Sequence, residues 1–91
     1  MKTYEILFTG QVQGVGFRFH VQECSRHLPV YGTVRNLSDG RVKVIAQGDQ
    51  GSIREFIRLI KIPRHRMMKI KQVEVHEIEL AKQYHDFRII Y

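Results

Sequence analysis

A glycine-broken segment directly before an arginine is the part of this sequence best suited to chemistry. Residues 10–18 read Gly-Gln-Val-Gln-Gly-Val-Gly-Phe-Arg. Because glycine permits the backbone angles that turn successive N–H groups inward, such a segment can surround a small anion. Arg18 would add a permanent charge whose forked donors fit phosphoryl oxygens. The residues alone leave an alternative open, an ordinary strand-to-helix turn with Arg18 in a surface salt bridge.

Asn36 is the second candidate for chemistry. Its amide carries both a donor and an acceptor, so it can hold a water molecule without acting as a base. Asn36 also stands near the end of a β-rich run, where asparagine is common because it tolerates turn geometry. Both interpretations stay open at this point.

His20, Cys24 and His27 have the spacing of a possible metal site. Intervals of four and three residues could bring them onto one helix face as zinc ligands. Cys24, however, belongs to an apolar helical stripe, and no fourth ligand is evident in the sequence. We therefore expect no metal site, no cofactor and no nucleophilic cysteine, with Cys24 a small core residue.

The elements around the glycine-broken segment follow from the spacing of apolar residues. Alternation over residues 4–8 predicts a first strand that ends at Gly10. From Phe17 the apolar spacing becomes four, three and four, which predicts a helix that Pro29 stops at Leu28. The segment therefore connects a strand to a helix.

Two β-rich runs and a second helix come next. Residues 32–37 and 41–47 flank a short turn signal, which predicts a hairpin. Ser52 and Glu55 form a capping-box pattern, which places the start of a second helix at Ser52, and Pro63 limits it. The expected buried stripe of this helix is Ile53, Phe56, Ile57 and Ile60.

The last two predicted elements are strands. Residues 72–80 form the fourth, and an apolar phase slip between Val75 and Ile78 suggests a bulge or bend. Residues 84–91 form the fifth, with Phe87, Ile89 and Tyr91 alternating. The order β-α-β-β-α-β plus one strand is typical of the α+β class, a split βαβ sandwich with two helices on one face of a mainly antiparallel sheet. We expect one domain over residues 1–91.

The charge favours anionic ligands of several sizes. Fifteen Lys and Arg against nine Asp and Glu give +6, which suits a phosphoryl group and a nucleic acid alike. The segment 16–21 faintly resembles the aromatic motif of RNA-recognition modules, and a basic run covers residues 54–71. Phe17 lies on a helical core stripe instead of a strand, so we favour a solvated basic face and expect no nucleic acid partner.

Two further features of the sequence indicate where in the cell the protein is located. Cys24 is the only cysteine, so no internal disulfide can form. The apolar run Ile6-Leu7-Phe8 is far too short for a membrane span or signal peptide. We expect a soluble cytoplasmic protein with no membrane partner, and a monomer.

Two blocks of the sequence resemble the acylphosphatase family, small enzymes that hydrolyse carboxyl phosphates. The first is Val-Gln-Gly-Val-Gly-Phe-Arg at residues 12–18, similar to the family's phosphate loop, and the second is Gly-Thr-Val-Arg-Asn at residues 32–36. Their order and spacing match, and the resemblance extends from Tyr4 to Tyr91. The sequence departs from the family pattern at Gln11, at Thr33 and in the basic stretch 64–70.

The resemblance implies a ferredoxin-like fold and a metal-independent hydrolase without cofactors. Asn36 would orient the attacking water, and N–H groups of Val15 to Arg18 would hold the phosphate jointly with the Arg18 side chain. The implied substrate is a small acyl phosphate, and inorganic phosphate would be both product and inhibitor. A nucleic-acid or regulatory binding module on the same scaffold is the alternative. The implied phosphate-binding residues are Gln13, Gly14, Val15, Gly16, Phe17 and Arg18.

Overall fold

A computed structural model describes residues 1–91, which form five strands and two helices. The order is the predicted β-α-β-β-α-β with one further strand. The elements are β1 (Lys2–Gln11), α1 (Phe17–Ser25), β2 (Tyr31–Asn36), β3 (Val42–Gly48), α2 (Gln50–Ile60), β4 (Lys69–Ile78) and β5 (Phe87–Ile89).

The strands form one sheet in the order β4-β1-β3-β2-β5. Every neighbouring pair is antiparallel except β2 and β5, which are parallel. The buried hydrophobic residues of both helices and of β1, β2 and β3 form a single cluster. Because helices on opposite faces would give two separate cores, one cluster means that α1 and α2 cover the same face. This α+β arrangement confirms the predicted fold class.

The strand directions place the ends of several strands together at one edge of the sheet, where a site could form. β1 and β2 are both antiparallel to β3, so they run the same way, and β5 runs with β2. The carboxyl ends of these three strands therefore meet at one edge. β4 is antiparallel to β1, so the loop before it reaches the same edge. Segments far apart in sequence, 12–16, 61–68 and 90–91, thus lie at the same edge of the sheet as Asn36.

Both helix boundaries differ from the predictions. α1 ends at Ser25 and not at Leu28. After Ser25 the chain forms a turn in which Leu28 N donates to Ser25 O, three residues back instead of the four of an α-helix. Pro29 also disfavours helical backbone angles at Leu28. The predicted capping box at Ser52 is wrong: α2 begins at Gln50 with Asp49 as its N-cap. The predicted stripe is otherwise buried, although Ile57 is only partly so.

The outer strands differ more than the central ones. β4 begins at Lys69, and its pairing with β1 is regular through Val75 and Ile78, so the bulge predicted there is wrong. The register shifts instead between Thr9 and Gly10, opposite the start of β4. β4 is an edge strand, and Val75 is 45% exposed. Because no face of β4 is fully buried, the positions of its apolar residues do not fix how it pairs with β1.

β5 is three residues long, shorter than the predicted 84–91. The backbone N–H of Tyr84 donates to Gln47 Oε1 at 2.8 Å and so does not join the ladder. Beyond the strand, Ile90 N still donates to Val34 O, while Tyr91 is 93% exposed. Tyr91, the last residue of the predicted strand, therefore lies outside β5. Neither helix of the chain has the length and apolar character needed to cross a bilayer.

Candidate active site

A cavity of about 190 Å³ lies where the ends of β1, β2 and β5 meet. It brings together the two residues for which the sequence predicted a chemical role, Arg18 and Asn36. A larger depression of about 400 Å³ lies on the exposed face of α2, away from both residues. The smaller cavity is lined by Val12, Gly14, Gly16, Phe17, Arg18, Phe19, Asn36, Ile89 and Tyr91.

The backbone of the loop between β1 and α1 has the form of an anion cradle. Gly14 and Gly16 adopt the left-handed conformation, with φ of 74° and 76°, and Val15 between them has negative φ. This alternation turns successive N–H groups toward one side. The N–H groups of Gly14 to Phe19 have no acceptor within the protein. A run of unpaired donors thus leads into the N-terminus of α1.

The start of α1 is also free of acidic side chains. Its N-cap is Gly16, which offers no side-chain acceptor, and its first turn contains no Asp or Glu. A helix N-terminus carries partial positive charge, which is stabilised by an anion. The protein supplies none at this position.

Arg18 stands in the first turn of α1 beside this run of donors. Its side chain is partly buried, and none of the ion pairs of the protein includes it. The alternative of a surface salt bridge is therefore wrong. The guanidinium carbon lies 4.9 Å from the ring centroid of Tyr91, a cation–π contact that keeps the charge unneutralised.

Asn36 is the last residue of β2, and its backbone pairs with Val42 of β3. The side-chain Oδ1 is buried and has no hydrogen-bond partner. Leaving such an acceptor unpaired costs about 1–3 kcal/mol. An Asn kept only for turn geometry would not need a buried amide beside a cavity, so the position of Oδ1 favours a role toward a ligand.

Two of the predicted phosphate-binding residues, Gln13 and Phe17, have side chains engaged elsewhere. Gln13 Nε2 donates to Leu37 O at 2.8 Å and to Arg41 O at 2.9 Å, which ties the loop to the β2–β3 turn. The Phe17 side chain is in the core, edge-to-face with Phe8 at 5.2 Å. Neither Gln13 nor Val15 lines the cavity. Any contact of these residues with an anion would be through their backbone.

Known proteins match the chain over its whole length. The acylphosphatase family model matches residues 4–89. The chain belongs to the acylphosphatase family. It is 41% identical over 91 residues to an acylphosphatase of Ligilactobacillus salivarius, covering all of both chains, and 43% identical over 88 residues to one of Caldanaerobacter subterraneus, covering 97% of each.

A solved structure of the same family has the same fold. The crystal structure of an acylphosphatase from Bacillus subtilis superposes with a TM-score of 0.89 at 34% identity, covering all of both chains. The predicted ferredoxin-like fold is confirmed. As a member of the acylphosphatase family the chain is a hydrolase, and the family implies an acyl phosphate substrate.

The structure does not bring His20, Cys24 and His27 together as metal ligands. His20 Nδ1 accepts from Arg64 Nε at 3.3 Å, so Nε2 carries the ring proton and donates to Ile60 O at 2.9 Å. Burial lowers the pKa of His20, in keeping with a neutral ring. No group of three or more His, Cys, Asp or Glu side chains is placed to hold a metal ion.

Cys24 lies in the hydrophobic core, as its place on the apolar stripe predicted. Burial raises the pKa of its thiol, so the reactive thiolate is disfavoured at neutral pH. A core position and a protonated sulfur both argue against a nucleophile.

The segment that resembles an RNA-recognition motif has a different geometry here. Phe17 is 1% exposed and Phe19 is 50% exposed, and both belong to α1. Aromatic residues that stack on bases in such modules stand on the open face of a sheet. On α2, both Arg58 Nε and Nη2 donate to Glu55 at 2.7 Å, so this cation of the basic run is neutralised.

Several residues near the site were not predicted from the sequence. Phe19 and Tyr91 stand at the rim of the cavity, and the side chain of His65 contacts the loop through Val15. His65 contacts Val15, and Tyr91 contacts Arg18, so each contact joins residues at least 50 positions apart in the sequence. No local pattern marks them, and only the strand directions could have suggested that their segments meet.

Proposed function

We propose that this chain hydrolyses the carboxyl–phosphate bond of acyl phosphates in the cavity between the β1–α1 loop and Asn36. The observation that carries the proposal is the uncapped start of α1. Its N–H groups from Gly14 to Phe19 lack acceptors, and the side chain of Arg18 lacks a carboxylate partner. A tetrahedral phosphoryl group satisfies both at once.

Hydrogen-bond donors would contribute more of the phosphate-binding free energy than the helix dipole. The dipole contributes about 0.3–1 kcal/mol, whereas each hydrogen bond to a charged group contributes about 1.5–3 kcal/mol. Two or three N–H groups of the loop and the Arg18 guanidinium would therefore dominate. Since these groups recognise the oxyanion and not the acyl part, inorganic phosphate should compete with substrate.

Asn36 would hold the attacking water. Its buried Oδ1 can accept a hydrogen bond from that water and leave a lone pair of the water oxygen directed at phosphorus. The new P–O bond forms as the bond to the acyl oxygen breaks, and the carboxylate leaves with the electron pair. The water oxygen keeps one proton as a P–OH group, and its second proton passes to a phosphoryl oxygen, so the products are a carboxylate and dihydrogen phosphate.

A carboxylate is a good leaving group, so no general base or protein nucleophile is required. The transition state of such phosphoryl transfers is loose, and positioning with charge stabilisation carries most of the catalysis. Phe19 and Tyr91 at the rim are 50% and 93% exposed, so the acyl part would face solvent. Small acyl groups should therefore be discriminated only weakly. All of these residues belong to one chain, and the proposal needs no second copy.

Paired variants of Arg18 and Asn36 test these roles. Arg18→Gln should weaken phosphate inhibition and lower kcat by about a hundredfold, because a preorganised charged donor is lost. Asn36→Ala should lower kcat by a similar factor while the Ki of phosphate changes less than about threefold. The measurement is hydrolysis of a chromogenic acyl phosphate without added metal, with and without EDTA.

Melting temperatures of both variants separate loss of function from loss of fold. His85→Asn serves as a control, since His85 is exposed and precedes β5 at the opposite end of that strand from Tyr91. A folded Asn36→Ala enzyme with wild-type turnover would refute the water-positioning role. Wild-type turnover in Arg18→Gln would refute the anion cradle.

A further inference from the structure

His65 is the one side chain outside the β1–α1 loop that bonds to the middle of that loop. It lies on the segment between α2 and β4, which reaches the cavity edge because β4 is antiparallel to β1. Its Nε2 is 2.9 Å from the carbonyl oxygen of Val15. The ring is exposed, so the contact is not a consequence of burial in the core.

The partners of His65 define the roles of its two ring nitrogens. A carbonyl oxygen can only accept, so Nε2 carries a proton and donates it to Val15 O. The backbone N–H of Met67 donates to Nδ1 at 3.3 Å, so Nδ1 carries none. Together the two bonds fix the ring in one orientation, with Nε2 as donor and Nδ1 as acceptor.

The carbonyl that His65 holds controls the direction of a neighbouring donor. The Val15 C=O and the Gly16 N–H belong to the same trans peptide plane, in which they point in opposite directions. Gly16 lines the cavity, and Val15 does not. A hydrogen bond that holds the carbonyl on the outer side of the loop therefore holds the Gly16 N–H on the cavity side.

We propose that His65 is a positioning residue, which fixes the peptide between Val15 and Gly16 so that the Gly16 N–H faces the substrate phosphate. The inference rests on the proposed function of the loop. Left-handed glycines on both sides of Val15 allow this peptide to rotate. The hydrogen bond from His65 to Val15 O removes that freedom before substrate binds. Preorganised donors stabilise a developing oxyanion far better than donors that must first be ordered.

Two isosteric substitutions separate the bonds of His65. In His65→Gln the amide Nε2 can still reach and donate to Val15 O. In His65→Asn the shorter amide can still accept from Met67 N but cannot reach Val15. We expect His65→Asn to lower kcat/KM and to raise the Kd of inorganic phosphate by about tenfold, a fraction of the loss of a whole preorganised donor. His65→Gln should stay within about twofold of wild type, as should the remote control His85→Asn.

The amide signal of Gly16 gives a readout that a purely structural role would not move. In ¹H–¹⁵N spectra, saturating phosphate should shift this signal strongly in the wild type and in His65→Gln, and much less in His65→Asn. Equal phosphate binding by the Gln and Asn variants would overturn the inference, and so would a loss of melting temperature in His65→Asn with phosphate binding unchanged. If the wild type itself neither binds phosphate nor hydrolyses acyl phosphates, the proposed function fails first.

Discussion

The two helices begin in opposite ways. α1 starts from Gly16, a left-handed glycine with no side-chain cap. α2 starts from Asp49, whose carboxylate accepts from Ser52 N at 2.9 Å and from Ser52 Oγ at 2.8 Å. Each N-terminus exposes orphan N–H groups and partial positive charge. In α2 the protein supplies the anion, and in α1 it leaves the donors without one.

The arginines of the two helices show the same difference. Arg58 of α2 donates twice to Glu55 on the preceding turn, whereas Arg18 of α1 has no carboxylate partner. A helix that carries arginines and a positive N-terminus is therefore not by itself an anion site. What distinguishes the cavity is that both its backbone donors and the Arg18 side chain lack acceptors inside the protein.

Among substitutions at the two helix starts, the largest expected effect comes from replacing Gly16, the glycine that opens α1. Gly16→Ala should lower kcat/KM about a hundredfold, because alanine at φ of 76° is strained and the loop must move its donors to relieve that strain. A Cβ would meet nothing within 4 Å, so the effect would come from backbone conformation and not from a clash. Steady-state kinetics with the chromogenic substrate measure it.

Gly51→Ala is the matched control in the first turn of α2. Its added Cβ would lie at 3.4 Å from Asp49 Oδ1, an ordinary contact, and its φ is not positive. Activity should be unchanged, and stability should rise by about 0.5–1 kcal/mol because alanine is the better helix former. If Gly16→Ala were as active as Gly51→Ala, the loop conformation would not matter for the chemistry.

A smaller effect is expected where α2 loses its own anion. Asp49→Ala should lower the melting temperature by about 5 °C at pH 7 and leave kcat/KM unchanged, since the cap is far from the cavity. The hydrogen bond from Ser52 N lowers the pKa of Asp49, so its contribution to stability is present above the unfolded pKa and is lost as the pH falls through the folded pKa.

Thermal unfolding across pH 7 to 3 measures this dependence. The difference in melting temperature between wild type and Asp49→Ala should shrink as the solution is acidified. A difference that is constant with pH would mean that Asp49 stabilises α2 without using its charge. A loss of activity at pH 7 would mean that the two helix starts are coupled.

The same contrast explains what could be predicted from the sequence. The β1–α1 loop, Arg18 and Asn36 could be selected as candidates because glycine spacing and strand ends are local signals, and the structure places them around one cavity. The start of α2 was placed wrongly because Asp49 and Ser52 are both good N-caps, and Glu55, the expected capping-box partner, pairs with Arg58 instead. Local patterns could not decide between two caps three residues apart.

Long-range contacts at the site had no local signal. Gln13 was predicted to bind phosphate, yet its side chain bonds to carbonyls 24 and 28 residues away. His65 lay within a stretch noted for its charge and for its departure from the family pattern, although its side chain reaches Val15 across 50 residues. Such contacts depend on which strand ends meet, and this is fixed by packing of the whole sheet.

A phosphate titration followed by backbone amide signals tests most directly whether the uncapped helix start is the anion site. With ¹⁵N-labelled protein and inorganic phosphate, the amides of Gly14 to Phe19 should shift together with one Kd, and that Kd should equal the Ki for phosphate as an inhibitor. The amides of Gly51 and Ser52 at the capped start of α2 should not shift. Saturable shifts at α2, with none in the β1–α1 loop, would contradict the account.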